Sequence, residues 1–269
     1  MTYTPVIPAG GYVGWAFLQR TFAAQKNNFV QDAATQRDET YFREKIGSAD
    51  SAEKLVGDRR LLSVALTAFG LDADLPNKAF IRKVLEGGTL KADALANRLA
   101  DKRYFDIAKA FGYGDFPKPN TLKSDFADKI LRLYESRKFE SAVGAQDDTM
   151  RLALNAQREL ADLAGRSISP NGKWYLAMGS PPLRSLLQTA FGLPPSFTSV
   201  DIDKQLQVLK DRSQALLGQS DPAQFKDPAQ IETLIRVFMV RSQVATSQSS
   251  TGSTALGLLQ QAGRLSRYI

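Results

Sequence analysis

From about Val13 to Ile46 the apolar positions Trp15, Leu18, Phe22 and Phe29 fall three, four or seven residues apart. That spacing places them on one face of an α-helix. Small Ala33 continues the stripe, but the second half of the segment is polar, with Gln31, Asp32, Gln36, Arg37, Asp38 and Glu39. The pattern predicts one long N-terminal helix, docked at one end and partly projecting or paired with something else. Gly47 marks its stop. Residues 1–12, with Pro or Gly every few positions, read as an irregular lead-in.

The middle of the chain repeats itself. Asp58-Arg-Arg-Leu-Leu-Ser-Val-Ala-Leu-Thr-Ala-Phe-Gly70 is echoed by Asp101-Lys-Arg-Tyr-Phe-Asp-Ile-Ala-Lys-Ala-Phe-Gly112, and again by Ser180-Pro-Pro-Leu-Arg-Ser-Leu-Leu-Gln-Thr-Ala-Phe-Gly192. Each copy reads as an N-cap (Asp58, Asp101, Ser180), a short helix, a buried aromatic (Phe69, Phe111, Phe191) and a glycine stop. A second amphipathic helix follows in the first copy (77–86) and the third (201–217). In the second copy the equivalent region is longer. There Phe126, Ile130, Leu133 and Tyr134 form one stripe, Phe139 and Val143 another, and a further helix starts at an Asp147 cap and runs to Gly165.

Only Trp174–Met178 carries β character, and it is short. The expected fold is all-α: stacked helical hairpins with about three repeated helical pairs, a long N-terminal helix and a tethered C-terminal helix. The expected division is 1–47 for the lead-in and long helix, 48–244 for the repeated domain, and 245–269 for a polar linker and amphipathic tail. Ile231–Val240 reads as the last core helix. Thr246–Thr254 is a low-complexity linker, and beyond it Leu258, Leu259 and Leu265 share a helical face.

Composition removes whole classes of chemistry. Of 269 residues none is His or Cys, which excludes thiol or imidazole catalysis and Cys/His metal sites. The required positions of a phosphate loop and of a calcium loop are wrong: Ser167 stands where the first needs Gly, and Lys83 where the second needs Glu. No catalytic residue, cofactor or metal is therefore expected, and the chain reads as a non-enzyme. Glu135-Ser136 and Glu140-Ser141 resemble the Glu-Ser dipeptide of all-helical peptidoglycan-cutting enzymes, so Glu135 and Glu140 are the nominal acids of an alternative, carboxylate-based reading. Both are expected on a charged surface.

The net charge of +7 raises a third reading, nucleic-acid binding. Its basic pairs are interspersed with acids rather than gathered in an arm, so no nucleic-acid partner is expected. Arg60 and Arg103, at the starts of two repeats, are expected to pair with neighbouring helix C-termini or carboxylates. No apolar run approaches a membrane span, and no positive segment precedes the first apolar stretch. The expected location on these grounds is the cytoplasm, with no cleavable signal peptide.

A further expectation, association with the flagellum in place of a purely cytoplasmic location, comes from a resemblance. Asn77-Lys-Ala-Phe-Ile-Arg-Lys-Val-Leu-Glu86, Leu99-Ala-Asp-Lys-Arg-Tyr104, Met150-Arg-Leu-Ala-Leu-Asn-Ala-Gln-Arg-Glu-Leu160, Gly179-Ser-Pro-Pro-Leu-Arg184 and Asp201-Ile-Asp-Lys-Gln-Leu206 are similar to an alphaproteobacterial family, a domain of unknown function whose genes lie among flagellar genes. The resemblance runs from Phe42 to Val244 and brings no catalytic residues. It implies an interaction or structural protein of flagellar assembly or function, whose partner is a flagellar component or a second copy. The candidate partner-binding residues are Trp15, Phe22, Phe29, Leu258, Leu259 and Leu265.

Overall fold

A computed structural model describes residues 3–245. The fold is all-α. Twelve α-helices lie within the described residues: α1 (Gly11–Val30), α2 (Ala33–Lys45), α3 (Ala52–Gly57), α4 (Arg59–Phe69), α5 (Lys78–Gly87), α6 (Leu95–Arg98), α7 (Arg103–Phe111), α8 (Phe126–Gly144), α9 (Asp148–Gly165), α10 (Pro170–Gly179), α11 (Pro181–Phe191) and α12 (Ile202–Leu217). A further helix, α13, occupies 228–245, and no strand occurs among the described residues.

The three repeats form as helix-and-stop units. The Asp58 carboxylate accepts from the backbone N–H groups of Arg60 and Leu61 at 2.9 and 3.1 Å, satisfying donors that a helix start leaves open. At the other end Gly70 adopts φ +70°, Gly70 N–H donates to the Thr67 carbonyl, and Leu71 N–H donates back to Leu66. Gly192 and Leu193 close α11 in the same way on Thr189 and Gln188. The shared Thr-Ala-Phe-Gly-Leu thus produces the same Schellman closure twice, with Leu supplying its apolar contact. The second copy has Tyr113 in place of that Leu. It closes by the simpler single bond, Gly112 N–H to the Ala108 carbonyl. Phe69, Phe111 and Phe191 are all buried.

Consecutive helices do not all pack as pairs. The main partner of α4 is α8, and α5 lies against α7 and α3, while α11 touches α12. Two large apolar cores result, with a small satellite of Val84, Ala96 and Ala108. One gathers α2, α3, α4, α5, α7 and the first half of α8 around Phe42, Leu62, Phe111 and Phe126. The other gathers α1, the second half of α8, and α9 to α13 around Trp15, Leu154, Trp174 and Phe238. Helix α8 belongs to both: Phe126, Ile130 and Tyr134 enter one core, Phe139 and Val143 the other.

Two sequence expectations change. The N-terminal segment is not one long helix but two, α1 and α2, broken at Gln31 and Asp32. The Asp32 side chain accepts from Ala34 N–H and from Tyr3 N–H, both at 3.0 Å. An Asp inside a helix competes for backbone donors, and here it starts a new helix instead. The Trp174–Met178 stretch is helical, within α10. Ser169 caps Gly172 N–H at 3.1 Å and Pro170 opens the first turn, two start signals that outweigh the weak strand propensity of Trp and Tyr.

Candidate functional site

Where the two cores meet, the start of α7, the middle of α8, the second half of α9 and the α10–α11 junction enclose a cleft of about 290 Å³. Its walls mix Phe69, Leu133, Leu163, Leu176 and Leu183 with a dense set of charges. Arg103, leaving the start of α7, chelates the Asp101 carboxylate and donates to the Gly70 carbonyl. It therefore meets the negative end of α4, as expected for this position. The Arg60 guanidinium of the first copy stacks 4.0 Å over the Tyr41 ring and donates to the Arg37 carbonyl at 3.2 Å.

Deeper in, Arg137 Nη2 lies 2.7 Å from Glu159 Oε1, and Arg158 holds both oxygens of Glu140, at 2.8 and 3.2 Å. Glu159 also accepts from Asn155 at 3.1 Å and from the Ser180 hydroxyl at 2.8 Å. Ser180 makes no side-chain cap bond to α11, and Pro182 at the second helical position has no N–H to offer it. Burial alone would push the Glu159 carboxyl up, but Arg137, Arg158 and the Ser180 hydroxyl prevail and hold it below its ordinary range. Burial and the adjacent Arg158 draw the Arg137 guanidinium down. At the mouth Arg166 pairs with Asp162 at 2.9 Å across one turn of α9.

The structure does not bring the nominal acids together. Glu140 is not on the surface, as expected from sequence, but buried among arginines. Glu135 is half-buried on another side of α8, where its charge acts on Glu39 of α2. Glu39 is itself buried with one carboxylate oxygen unpaired among the described residues. Burial first, and Glu135 second, push its carboxyl up to about 7. Asp72 accepts from the Thr67 hydroxyl and Asp74 from the Tyr104 hydroxyl, at 2.5 and 2.7 Å.

The candidate partner stripe on α1 is already covered. Trp15 and Phe29 are buried, and Phe139 of α8 packs edge-on against both Phe22 and Phe29, with centroids 5.5 and 5.6 Å away. Trp15 Nε1 donates to Glu232 at 3.0 Å. The N-terminal helix therefore finds its partner within the chain, because α8 carries a complementary aromatic, and Trp15, Phe22 and Phe29 are not an open docking face. Leu258, Leu259 and Leu265 lie outside the described residues.

A surface that sequence reasoning missed lies on the loops around the end of α7. Asp115 ties two loops together, accepting from Thr89 N–H, the Thr89 hydroxyl and Leu90 N–H at 2.5, 2.8 and 3.0 Å. Gly88, at φ +64°, sits against the Gly114 backbone so closely that a Cβ there would fall 2.8 Å from the Gly114 carbonyl carbon. Thr121 turns inward to the Ala49 carbonyl. On the outside of these loops Leu90, Phe116 and Leu122 are 72%, 49% and 54% exposed. Each stands next to or two residues before an exposed lysine, Lys91, Lys118 or Lys123, and none of these lysines has an ion-pair partner among the described residues. The signal was present in the sequence as three apolar-then-lysine steps. It was not readable, because which of these apolar side chains stay exposed depends on loops held by the Asp115 and Gly88 contacts.

The fold and the cleft define a helical protein with two cores joined through one shared helix and a charged seam between them. The chain belongs to the family described as "Protein of unknown function (DUF1217)", whose model matches residues 68–231. It is similar to a protein of Agrobacterium tumefaciens whose structure was solved by X-ray crystallography, with 25% identity and a TM-score of 0.70 over 89% of this chain and 98% of that one. No curated protein matches the chain. No described helix is long and apolar enough to cross a membrane.

Proposed function

We propose that this chain is a non-enzymatic helical interaction protein that works in assembly or function of the bacterial flagellum. The observation that carries an interaction role is the exposure of Leu90, Phe116 and Leu122 on the loops that flank α7. Large apolar side chains left exposed to solvent cost free energy that a partner covering them would recover. Lys91, Lys118 and Lys123 near them, without ion pairs among the described residues, suit a protein surface carrying acids, since charge complementarity guides encounter and register. The flagellar assignment rests on the resemblance of the repeat segments to a family encoded among flagellar genes. The interaction reading is favoured over peptidoglycan cleavage because Glu140 spends its carboxylate on Arg158 and does not share a cleft with Glu135.

Deleting the gene and measuring swimming, with basal bodies and filaments inspected by electron microscopy, tests this function. Impaired swimming with incomplete or misassembled flagella is expected. Unchanged motility and unchanged flagella would overturn it.

A further inference from the structure

The seam cleft holds one carboxylate that the other described residues leave without a hydrogen bond or ion pair. Four lining or adjoining arginines are matched by four acids: Arg103 by Asp101, Arg137 by Glu159, Arg158 by Glu140 and Arg166 by Asp162. Lys102 spends its ammonium on the carbonyls of Asn97 and Leu99, at 2.8 and 2.9 Å. Asp106, on the first turn of α7, also lines the cleft. It has neither a hydrogen bond nor an ion pair from its side chain among the described residues. The charged groups that act on it are Arg166 and Lys109, which favour its anion, and Asp162 and Glu159, which oppose it. Burial outweighs the favourable pair, so its carboxyl sits above the ordinary range. A half-buried carboxylate with no donor on either oxygen among the described residues leaves its acceptors open to a positive donor. Leu133, Leu176 and Leu183 line the same cleft, with Leu133 partly open to solvent.

We infer that this cleft is a binding site for a cationic head on a short aliphatic stem, a guanidinium or primary ammonium like that of an arginine or lysine side chain. The head would donate to Asp106, and the stem would lie along Leu133, Leu176 and Leu183. Such a ligand divides into a charged tip and an apolar body, as the cleft does. The volume, at the small end of ligand pockets, suits one such group. This site is separate from the exposed loop residues Leu90, Phe116 and Leu122, and it would hold whether or not the flagellar reading does.

The test is a titration of the full-length protein with butylguanidinium, butylammonium and pentanoate, followed by amide NMR shifts. Saturable binding of the two cations and none of pentanoate is expected. Asp106→Asn should weaken the cations about tenfold or more, the loss of one charge-assisted contact. Leu133→Gln, at a partly exposed position, should weaken them several-fold and carries the test if Asp106→Asn does not fold. Cations that fail to saturate the wild type, that bind Asp106→Asn as tightly, or that bind more weakly than pentanoate would overturn the inference. So would unchanged affinity in a folded Leu133→Gln. The tripeptide Ala-Arg-Ala, acetylated and amidated, separates the two sources of this chemistry. Binding comparable to butylguanidinium supports a polypeptide's side chain, and binding of the free cations alone supports a small metabolite.

Discussion

Glu140 on α8 and Arg158 on α9 face each other in a two-pronged ion pair, with both carboxylate oxygens held by the one guanidinium. Arg137, three residues before Glu140, lies within 3.7 Å of the same carboxylate and binds Glu159 as well. The pair therefore ties α8, the helix common to both cores, to α9. Removing one member of a buried pair strands the other charge, which costs roughly 3–5 kcal/mol when burial is complete. Arg158 keeps some solvent contact, so Glu140→Gln should fall at about 3 kcal/mol by urea unfolding. Glu135→Gln should be nearly neutral or mildly stabilising, because it relieves repulsion on Glu39. Equal losses for the two would contradict this placement of the acids.

Glu39 makes stability depend on pH in a particular direction. Its carboxyl is raised from 4.5 to about 7 in the fold, so between those values the folded chain binds more protons than the unfolded one. Stability contributed by this group is full below about 4.5 and falls as pH rises through about 7. Glu39→Gln should melt close to wild type at about pH 5 and several degrees above it at about pH 8. A melting difference that stays constant between the two pH values would remove Glu39 as the cause.

The repeated aromatics anchor both cores. Phe111 is fully buried, edge-on to Phe126 at 5.1 Å, and Phe69 and Phe191 hold equivalent places before their glycines. Each Phe→Ala change should cost about 3–5 kcal/mol, read as a fall in the urea midpoint. A cost below about 1 kcal/mol at any of the three would mean that its ring is not part of the core.

The glycine stops can be separated from ordinary glycines. Gly70→Ala places a side chain at φ +70°, a left-handed conformation that costs an L-residue about 1–2 kcal/mol. Gly47 has no positive φ, and no atom lies within 4 Å of the place a methyl group would take, so Gly47→Ala should be neutral or slightly stabilising. Thermal melts of the two variants check the contrast.

The parts of the fold that depend on neighbours in sequence could be read from it. Asp58, Phe69 and Gly70 announce a capped helix, a buried ring and a stop within one short segment, and Asp147 announces α9. What depends on partners distant in sequence could not. Asp32 breaks the N-terminal helix partly by reaching Tyr3, 29 residues away. Phe139 covers the α1 stripe from far along the chain. The cleft draws Asp106, Arg137, Glu159 and Ser180 from separate helices and a helix junction, and no spacing rule relates them. The absence of His and Cys narrowed the chemistry at once. Which charges remain uncommitted became visible only when the partners of the cleft arginines were placed.

The decisive measurement for the loop surface uses a strain lacking the gene, complemented with the chain carrying Leu90→Ser, Phe116→Ser and Leu122→Ser together. These side chains lie in solvent and are outside the buried cores, so the variant should fold and melt as the wild type does. The wild-type chain is expected to restore swimming, and the triple variant, present at the same level, is expected not to. Full restoration of swimming by the triple variant would contradict the claim that this surface engages the flagellar partner.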